Sequence, residues 1–306
     1  MGLEKFPAQD VREMYDRVKN EAEIITSPEA KSLADFHTLL TKNFKPGEVE
    51  PLSVFQEEMS QNKNPDSRVR FICTALKDPL VRGNKLVSGA YGSVEDGILA
   101  IRLTLTEGKY YLLDYLVSKQ AKQPGFAGFR GYRGAGISQE ADKLLLEEAR
   151  RQQKLMNPGK RLNVMVCEAV SSSEAYWNGI EIESGNGMRR LYRPDNGKQI
   201  YYRLPPLDWN ADGTPKSDKV VVENLQVAIA NCPKQIPVDR LEQVLKTWWK
   251  SWYIRPRELF QDDEAWEKHK HTVNSILEEE ILKPIKGLNE LNLLSRDERE
   301  QKEKVG

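Results

Sequence analysis

The most constraining part of the sequence is an apolar run that is followed by a glycine-rich loop and then by an amphipathic segment. Residues Tyr110 to Val117 are aromatic and aliphatic apart from a single carboxylate, Asp114, which is typical of a mostly buried strand. After the loop, apolar residues recur on one helical face: Ile137, Ala141, Leu144, Leu145 and Ala149. The turn residues Asn157-Pro158-Gly159 predict the end of this helix. The stretch therefore predicts a strand, a loop and a helix in that order.

The loop carries a glycine pattern that favours binding of an anion. A glycine-rich turn entering a helix leaves backbone N–H groups without partners at the positive end of the helix dipole, where a phosphate group binds well. Gly131, Gly134 and Gly136 do not have the G-x-G-x-x-G spacing of a dinucleotide-binding fold. The Gly-Lys-Ser/Thr of a P-loop is absent as well. Taken alone, the loop fits either a phosphate site or a turn that only joins a strand to a helix.

Together with the flanking strand and helix, the pattern Arg133-x-x-Gly136-x-Ser138 resembles motif A of the GNAT superfamily of acyl-CoA-dependent N-acyltransferases. The resemblance covers residues 22–205 and implies an α+β fold with a mixed, mostly antiparallel twisted sheet flanked by helices. It implies that the loop's amides hold the pyrophosphate of coenzyme A, from the residues Arg133, Gly134, Ala135, Gly136, Ile137 and Ser138. Ser138 stands where the family usually has glycine or alanine, and the segment between strand and loop is longer than is common.

Composition excludes several other classes of protein. The 46 basic residues are balanced by 46 acidic ones, so no global charge attracts nucleic acid or an acidic membrane. The cysteines Cys73, Cys167 and Cys232 lie far apart, without metal-ligand or disulfide spacing. No apolar run approaches the roughly 18 residues that a membrane span needs. We therefore expect a soluble cytoplasmic protein without a metal, a nucleic-acid partner or a membrane partner.

Hydrophobic periodicity predicts the elements before the loop. A first helix is expected at 8–21 and a short strand at 23–26, after which Ser27-Pro28-Glu29 predicts a helix start. A further helix follows Gly47. The resemblance places these two helices beside the acceptor, so Phe36, Phe44 and Phe55 are candidates either for the substrate cleft or for the core. Strands are predicted at Val69–Ala75, Lys85–Ser93 and Gly97–Leu105.

A second buried strand is predicted at Leu162–Val170, after the long helix. The resemblance implies that it pairs with the Tyr110 strand at one end and separates from it at the other, leaving a V-shaped gap for the pantetheine arm. Backbone N–H groups on the Tyr110 strand would then hold the pantetheine and the thioester carbonyl, near Leu116, Val117 and Ser118.

Three side chains are candidates for proton transfer. The segment Ser171–Ile180 resembles the family's short helix ending in Tyr-x-x-x-Gly-Phe, one residue shorter here, and Tyr176 would protonate the departing thiolate or else pack as a core aromatic. Asp114 and Glu168 lie on the two strands that flank the expected gap. Either carboxylate could take the proton of the acceptor amine, and a structural ion pair is the alternative.

The rest of the chain is predicted to extend the core. A hairpin is expected from Met188–Arg193 and Lys198–Leu204, and an added strand at Val220–Ala230. Apolar residues at helical spacing after Pro237, including Trp248 and Trp252, are typical of a core or interface helix, and another helix is expected at 262–282. The predicted domains are an N-terminal helix (1–21), a GNAT-like acyl-CoA-binding core (22–205) and a mostly helical C-terminal extension (206–306).

The resemblance implies transfer of an acetyl or other acyl group from acetyl-CoA, or another acyl-CoA, to a primary amine of a small molecule or peptide. We expect direct attack in a ternary complex, with Cys167 as an alternative nucleophile. A non-catalytic acyl-CoA sensor or scaffold of the same fold is the other hypothesis. The C-terminal extension is a candidate surface for a homodimer.

Overall fold

The computed structural model describes residues 8–44, 49–80, 85–106, 137–162, 164–169, 189–190, 202–216, 226–230, 235–286 and 290–292. The described helices are α1 (Ala8–Asn20), α2 (Lys31–Asn43), α3 (Leu52–Ser60), α4 (Ile137–Met156), α5 (Val238–Tyr253) and α6 (Asp263–Ile276). The described strands are β1 (Ala22–Ile25), β2 (Val69–Asp78), β3 (Lys85–Glu95), β4 (Ile98–Thr106), β5 (Val164–Ala169), β6 (Arg189–Arg190), β7 (Gln226–Ala230), β8 (Gln235–Pro237) and β9 (Glu290–Asn292).

The strands form a mixed, mostly antiparallel sheet. Its order is β1-β2-β3-β4-β5-β7-β6, and β8 and β9 pair separately. The pair β4–β5 is parallel, whereas the other described neighbours in the large sheet are antiparallel. A parallel pair needs a crossover, and α4 supplies it between β4 and β5. The predicted α+β fold class is confirmed, including the helical part at the C-terminal end.

Helices cover both faces of the sheet. In β4, Leu99 and Ile101 pack with α1 and α4, whereas Ile98 and Ala100 pack with α5 on the opposite face. This follows from the two-residue period of a strand, in which successive side chains point to opposite faces. The helices α2 and α3 pack on the α5 side, against Tyr91 and Leu105. The sheet is therefore a central layer between α1/α4 and α2/α3/α5.

The predicted N-terminal elements agree with the structure except at one helix start. The elements α1, β1, α3, β2, β3 and β4 lie within a few residues of their predicted bounds. The start predicted at Ser27-Pro28-Glu29 is wrong, because α2 begins at Lys31 and its N-cap, Ala30, makes no side-chain cap. The Ser27 hydroxyl is used locally instead: it accepts the Glu29 N–H at 3.3 Å and donates to the Glu29 carboxylate at 2.5 Å.

Among the phenylalanines considered for a cleft, two lie in the core. Phe36 and Phe55 are 0% and 1% exposed, in the cluster formed by α2, α3 and the sheet. Phe44 follows α2 and is 37% exposed. The core interpretation therefore holds for Phe36 and Phe55, and Phe44 is the one whose ring reaches solvent.

One predicted strand pairing is wrong. The strand β5 has β4 on one side and β7 on the other, so Val164–Cys167 is not paired with the predicted Tyr110 strand. Of the expected hairpin, the structure describes Arg189–Arg190, which pairs with β7 as β6, and residues 202–204, which are not in a strand; its other residues lie outside the described ranges, so the hairpin stays a prediction. Of the added strand expected at Val220–Ala230, the described residues 226–230 form β7, which lies inside the large sheet.

The C-terminal helices close one face of the sheet. The indole rings of Trp248 and Trp249 are fully buried against Tyr202 and the β4 and β5 residues Ile98 and Val164. The tryptophans are therefore core residues of this chain, as their helical spacing indicates. Within the part of the chain that the structure describes, no helix is long and apolar enough to cross a membrane.

The histidine His269 of α6 is buried in this C-terminal packing. It accepts a hydrogen bond from the backbone N–H of Arg255 at 3.0 Å, and its ring lies 4.3 Å from that of Trp209 and 4.9 Å from that of Phe260. Burial, and then the charge of Arg255, lowers the pKa of His269 to about 3. The imidazole is therefore neutral in the folded protein at ordinary pH.

The neutral state of His269 predicts a pH dependence of stability. The unfolded chain takes up a proton on this side chain near pH 6.5, whereas the folded protein does so only near pH 3. The free energy of unfolding should therefore fall as the pH decreases through this window, by about 1 kcal/mol per pH unit from this group. Urea unfolding at pH 7, 6 and 5 measures the slope.

The substitution His269→Gln isolates the contribution of that side chain. Its amide oxygen can still accept the Arg255 N–H, but it takes up no proton, so this part of the slope should disappear. The exposed His271 provides the control, because His271→Gln should keep the wild-type slope. Equal slopes in the three proteins would contradict the assignment.

Candidate active site

In the parallel pair at the centre of the sheet, the pairing stops before either strand ends. The paired positions run from Ile98↔Val164 to Ile101↔Cys167, whereas β4 continues to Thr106 and β5 to Ala169. Over these last residues β4 stays paired with β3, and β5 stays paired with β7. Among the described residues, no strand pairs with the facing edges beyond Ile101 and Cys167. We call this unpaired end the β4–β5 fork.

A β-bulge at Arg102 lies directly after the last β4–β5 pair. On β3, Tyr91 pairs with Leu103 and Gly92 pairs with Ile101, so Arg102 is the additional residue on β4. A bulge increases the local twist and bends the strand that contains it. The bend in β4 therefore begins where its pairing with β5 ends, which provides a physical reason for the fork.

The residue opposite the bulge is a glycine that permits close approach of the two backbones. A Cβ atom on Gly92 would lie 2.5 Å from the carbonyl oxygen of Ala100 and 3.3 Å from the Cα of Ile101. Since both are backbone atoms of β4, a side chain here would push β4 away from β3. Gly92 is therefore required by the local geometry of the bulge.

The side chain of Arg102 is held by two buried glutamates. Its guanidinium donates to both carboxylate oxygens of Glu58 at 2.8 Å and to Glu50. The hydroxyl of Tyr91 donates to Glu58 at 2.8 Å, and the guanidinium lies 5.4 Å from the centre of the Phe55 ring. Burying an arginine is tolerated when its donors are satisfied in this way. The bulge is thus fixed to α3 and to the segment before it.

A second buried arginine reaches the same cluster from the end of α5. Arg255 donates to Glu50 at 2.9 Å and to the Trp252 carbonyl oxygen at 2.7 Å. Glu50, Glu58, Arg102 and Arg255 are each no more than 7% exposed. Burial alone would raise the pKa of Glu50, but the two guanidinium groups hold it below its ordinary value. We call these four residues the buried charge cluster.

The start of α4 is fixed beside the fork. The Thr104 hydroxyl, on the part of β4 beyond the bulge, donates to Asp142 at 2.6 Å. The Thr74 hydroxyl of β2 donates to the Ala141 carbonyl oxygen at 3.1 Å, and Lys19 of α1 pairs with Glu140 at 2.8 Å. Three different elements therefore hold the first turns of α4, whose N-terminus can attract an anion.

The structure places some of the predicted site residues. Ile137 is the first residue of α4 and is fully buried, and Ser138 follows it in the helix. The backbone of Glu168 lies in β5, one residue beyond the last pair with β4, at the opening of the fork. The remaining predicted site residues lie outside the described residues: Asp114, Leu116, Val117, Ser118, Arg133, Gly134, Ala135, Gly136 and Tyr176.

The buried charge cluster has little signal in the sequence. Glu50 and Glu58 resemble solvated residues of a loop and a helix, and Arg255 follows α5, so none of them has a distinctive pattern. Arg102 did have a signal, because it is the only charged residue in Ile98–Thr106. A charge in the middle of an apolar strand is costly unless it is paired. Arg102 could therefore have been predicted from the sequence to be a buried, paired residue.

A cavity of about 520 Å³ borders the cluster, between α3 and the end of α5. Its wall includes Glu58, Arg255 and Trp266, and the ion pair of Lys250 with Glu95 at 3.0 Å. Charges of both signs line it, so it does not select an anionic pyrophosphate. In the described ranges, no group of histidine, cysteine, aspartate or glutamate side chains could hold a metal ion.

Comparison with known proteins gives similarity at the level of structure. No family model matches the sequence, and no curated protein matches it significantly. A Bacteroides thetaiotaomicron protein assigned to the GNAT acetyltransferases is 11% identical, with a TM-score of 0.41 over 75% of this chain and 95% of its own. A Staphylococcus aureus GNAT acetyltransferase is 12% identical, with a TM-score of 0.34 over 68% of this chain and 98% of its own. A Lactobacillus plantarum protein assigned as an N-acetyltransferase is 12% identical, with a TM-score of 0.33 over 69% of this chain and 98% of its own.

The geometry at Gly92 predicts the effect of adding one methyl group. Because the new Cβ would meet the β4 backbone, Gly92→Ala should lower the free energy of unfolding by about 1–3 kcal/mol. Gly159 is the control: a Cβ there would meet only the Asn157 side chain, at 3.7 Å, so Gly159→Ala should be nearly neutral. Chemical denaturation measures both changes, and equal stability of the two variants would contradict the close approach.

After α1, the described elements follow in the order β1, two helices, three antiparallel strands, the helix α4 and then the parallel strand β5. This is the order that the sequence resemblance implies, except that β4 takes the place expected for the Tyr110 strand. By this order and by the β4–β5 fork, the chain has a fold similar to that of the GNAT superfamily.

Proposed function

We propose that this protein is a GNAT-like N-acyltransferase that transfers an acetyl group from acetyl-CoA to a primary amine. The β4–β5 fork is the observation that carries this proposal. A pantetheine arm is an extended chain with two amide groups, and the facing strand edges beyond Ile101 and Cys167 offer backbone groups to pair with them. An extended ligand would thereby continue the ladder that the two strands leave open.

The anionic end of coenzyme A is assigned to the start of α4. This helix has 20 residues, and the segment Arg133–Gly136 immediately precedes it. Backbone N–H groups at a helix N-terminus bind phosphate well, and the glycines allow the backbone to approach the ligand. The contacts of Thr104 and Thr74 with α4 support a fixed distance between this end and the fork.

The proposed reaction is direct attack of the amine nitrogen on the thioester carbonyl carbon. An ordinary primary amine has a pKa of about 10.4 and must lose a proton before it attacks. Glu168 or Asp114 would accept this proton, directly or through a water molecule. The carbon–sulfur bond then breaks, and Tyr176 would donate a proton to the thiolate. Backbone N–H groups along the fork would stabilise the negative charge on the carbonyl oxygen.

The position of Glu168 supports its candidacy as the base. Its backbone lies at the first β5 position beyond the pairing with β4, where the thioester would lie in this proposal. The acceptor is proposed to be a primary amine of a small molecule or peptide. The alternative, an acyl-CoA sensor, would use the same binding site without turnover.

Thiol release and calorimetry test the proposal together. We expect coenzyme A to bind, and acetyl-CoA to release free thiol faster when pools of primary amines are added. Binding without amine-dependent release would favour the sensor. Absence of any heat with coenzyme A at millimolar concentration would contradict both functions.

Substitutions then test the proton-transfer roles. Tyr176→Phe should lower kcat by at least about tenfold with little change in coenzyme A affinity, because only the departing thiolate needs the acid. Glu168→Gln and Asp114→Asn each remove one candidate base. The variant that lacks the true base should have a lower kcat/KM, and its kcat/KM should no longer rise with pH. Wild-type pH profiles in both carboxylate variants would contradict the assignment of either as the base.

A further inference from the structure

The bulge of β4 and the buried charge cluster are parts of one arrangement. Arg102 is both the additional residue of the bulge and the centre of the cluster, with hydrogen bonds to Glu50 and Glu58. The residues after it on β4 form one side of the fork. The cluster therefore fixes the point from which this side of the fork departs.

The cluster joins segments that are distant in sequence. Glu50 precedes α3, Glu58 lies in α3, Arg102 lies in β4, and Arg255 follows α5. Arg255 shares the Glu50 carboxylate with Arg102, at 2.9 Å. The C-terminal helices thereby contact the residue at the bulge, through a carboxylate that both arginines use.

We propose that Arg102 is a positioning residue for the pantetheine-binding fork, held by Glu50 and Glu58 and supported from the C-terminal part of the chain by Arg255. This inference rests on the proposed acyl-CoA binding. Arg102 sets the path of β4 from the bulge to Thr106, and hence the separation of the two strand edges. The C-terminal helices thus support the acyl-CoA site through Arg255, without contacting the ligand themselves.

Loss of the buried charge cluster should affect the binding of the pantetheine arm more than that of the nucleotide end. The nucleotide end of coenzyme A is assigned to the start of α4, which is held by Thr104, Thr74 and Lys19. The pantetheine arm is assigned to the fork. Loss of the cluster should therefore weaken the binding of coenzyme A more than the binding of adenosine 3′,5′-bisphosphate, which has no pantetheine arm.

Calorimetry with these two ligands measures the ratio of their dissociation constants. In Arg102→Met the preference for coenzyme A over the bisphosphate should fall on the order of tenfold, as expected from the loss of one or two hydrogen bonds to the arm. Arg255→Met should reduce the same preference by a smaller factor, because Arg102 still bonds to both glutamates.

A charge-balanced variant addresses failure to fold. Removing Arg102 alone leaves two buried carboxyl groups with one arginine, whereas E58Q/R102M leaves the Arg255–Glu50 pair matched. The glutamine can still accept the hydrogen bond of Tyr91. We expect this variant to fold, as checked by circular dichroism, and to show the same loss of preference for coenzyme A.

A half-buried ion pair on the opposite face of the sheet provides the control. Arg17 of α1 bonds to Asp78 of β2 at 2.9 and 3.0 Å, and the Asp78 side chain is 3% exposed. Arg17→Met should destabilise the fold but retain the wild-type preference for coenzyme A. A purely structural role of Arg102 would make the two arginine variants behave alike.

The outcomes separate this inference from the proposed function. If the wild type binds coenzyme A and the folded Arg102 variants retain its preference, the positioning role is wrong and the proposed function stands. An equal loss in Arg17→Met would also contradict the positioning role. If Arg255→Met keeps the wild-type preference for coenzyme A over the bisphosphate, the C-terminal helices do not support Arg102 in this role. If the wild type binds neither ligand, the proposed function fails first.

Discussion

The structure depends on an arginine that is buried in the middle of a strand. Arg102 is the additional residue of the bulge in β4, and its guanidinium is satisfied by Glu50 and Glu58. Without these partners a charged group at this depth would be strongly unfavourable, since breaking a buried pair costs about 3–5 kcal/mol. The same hydrogen bonds that make the arginine tolerable fix the strand to α3. The bulge and the end of the β4–β5 pairing therefore lie at the residue that these hydrogen bonds fix.

The C-terminal part of the chain is built into this arrangement. The strand β7 lies inside the large sheet, and the tryptophans of α5 cover the face of β4 and β5 before the fork. Arg255 then reaches Glu50 from the end of that helix. In physical terms, apolar packing holds α5 on the sheet, and the shared carboxylate determines where its end meets the bulge. The division at residue 205 stays a prediction from the sequence, and these contacts cross it.

The proposed site combines two modes of recognition that need different local structures. An anion needs unpaired N–H groups at a helix start, and an extended amide chain needs unpaired strand edges. The crossover from β4 through α4 to β5 places both next to each other, because the helix begins near the end of one strand and leads to its parallel neighbour. Contacts from Thr104 and Thr74 to the first turns of α4 hold this relation. The proposed acyl-CoA binding uses that proximity.

The sequence by itself determined the elements whose signal is local. Apolar periodicity gave α1, α3, α4, α5 and the strands β2, β3 and β4 to within a few residues, because burial of one face imposes its period on the chain. The α+β class followed from the resemblance that the residues around Gly136 carry; of that stretch, the structure describes the helix. The prediction failed at the start of α2, since the Ser27 hydroxyl can bond locally as well as cap a helix.

Only the tertiary structure decided which strand lies next to β5 and where the pairing stops. An apolar run such as Tyr110–Val117 and the run Ile98–Thr106 are equally suitable neighbours by composition, so the pairing with Ile98–Ile101 could not be read from the pattern. The buried charge cluster was equally invisible, because its members come from four separate segments of the chain. Their meeting depends on how the helices pack on the sheet, and that is a property of the whole fold.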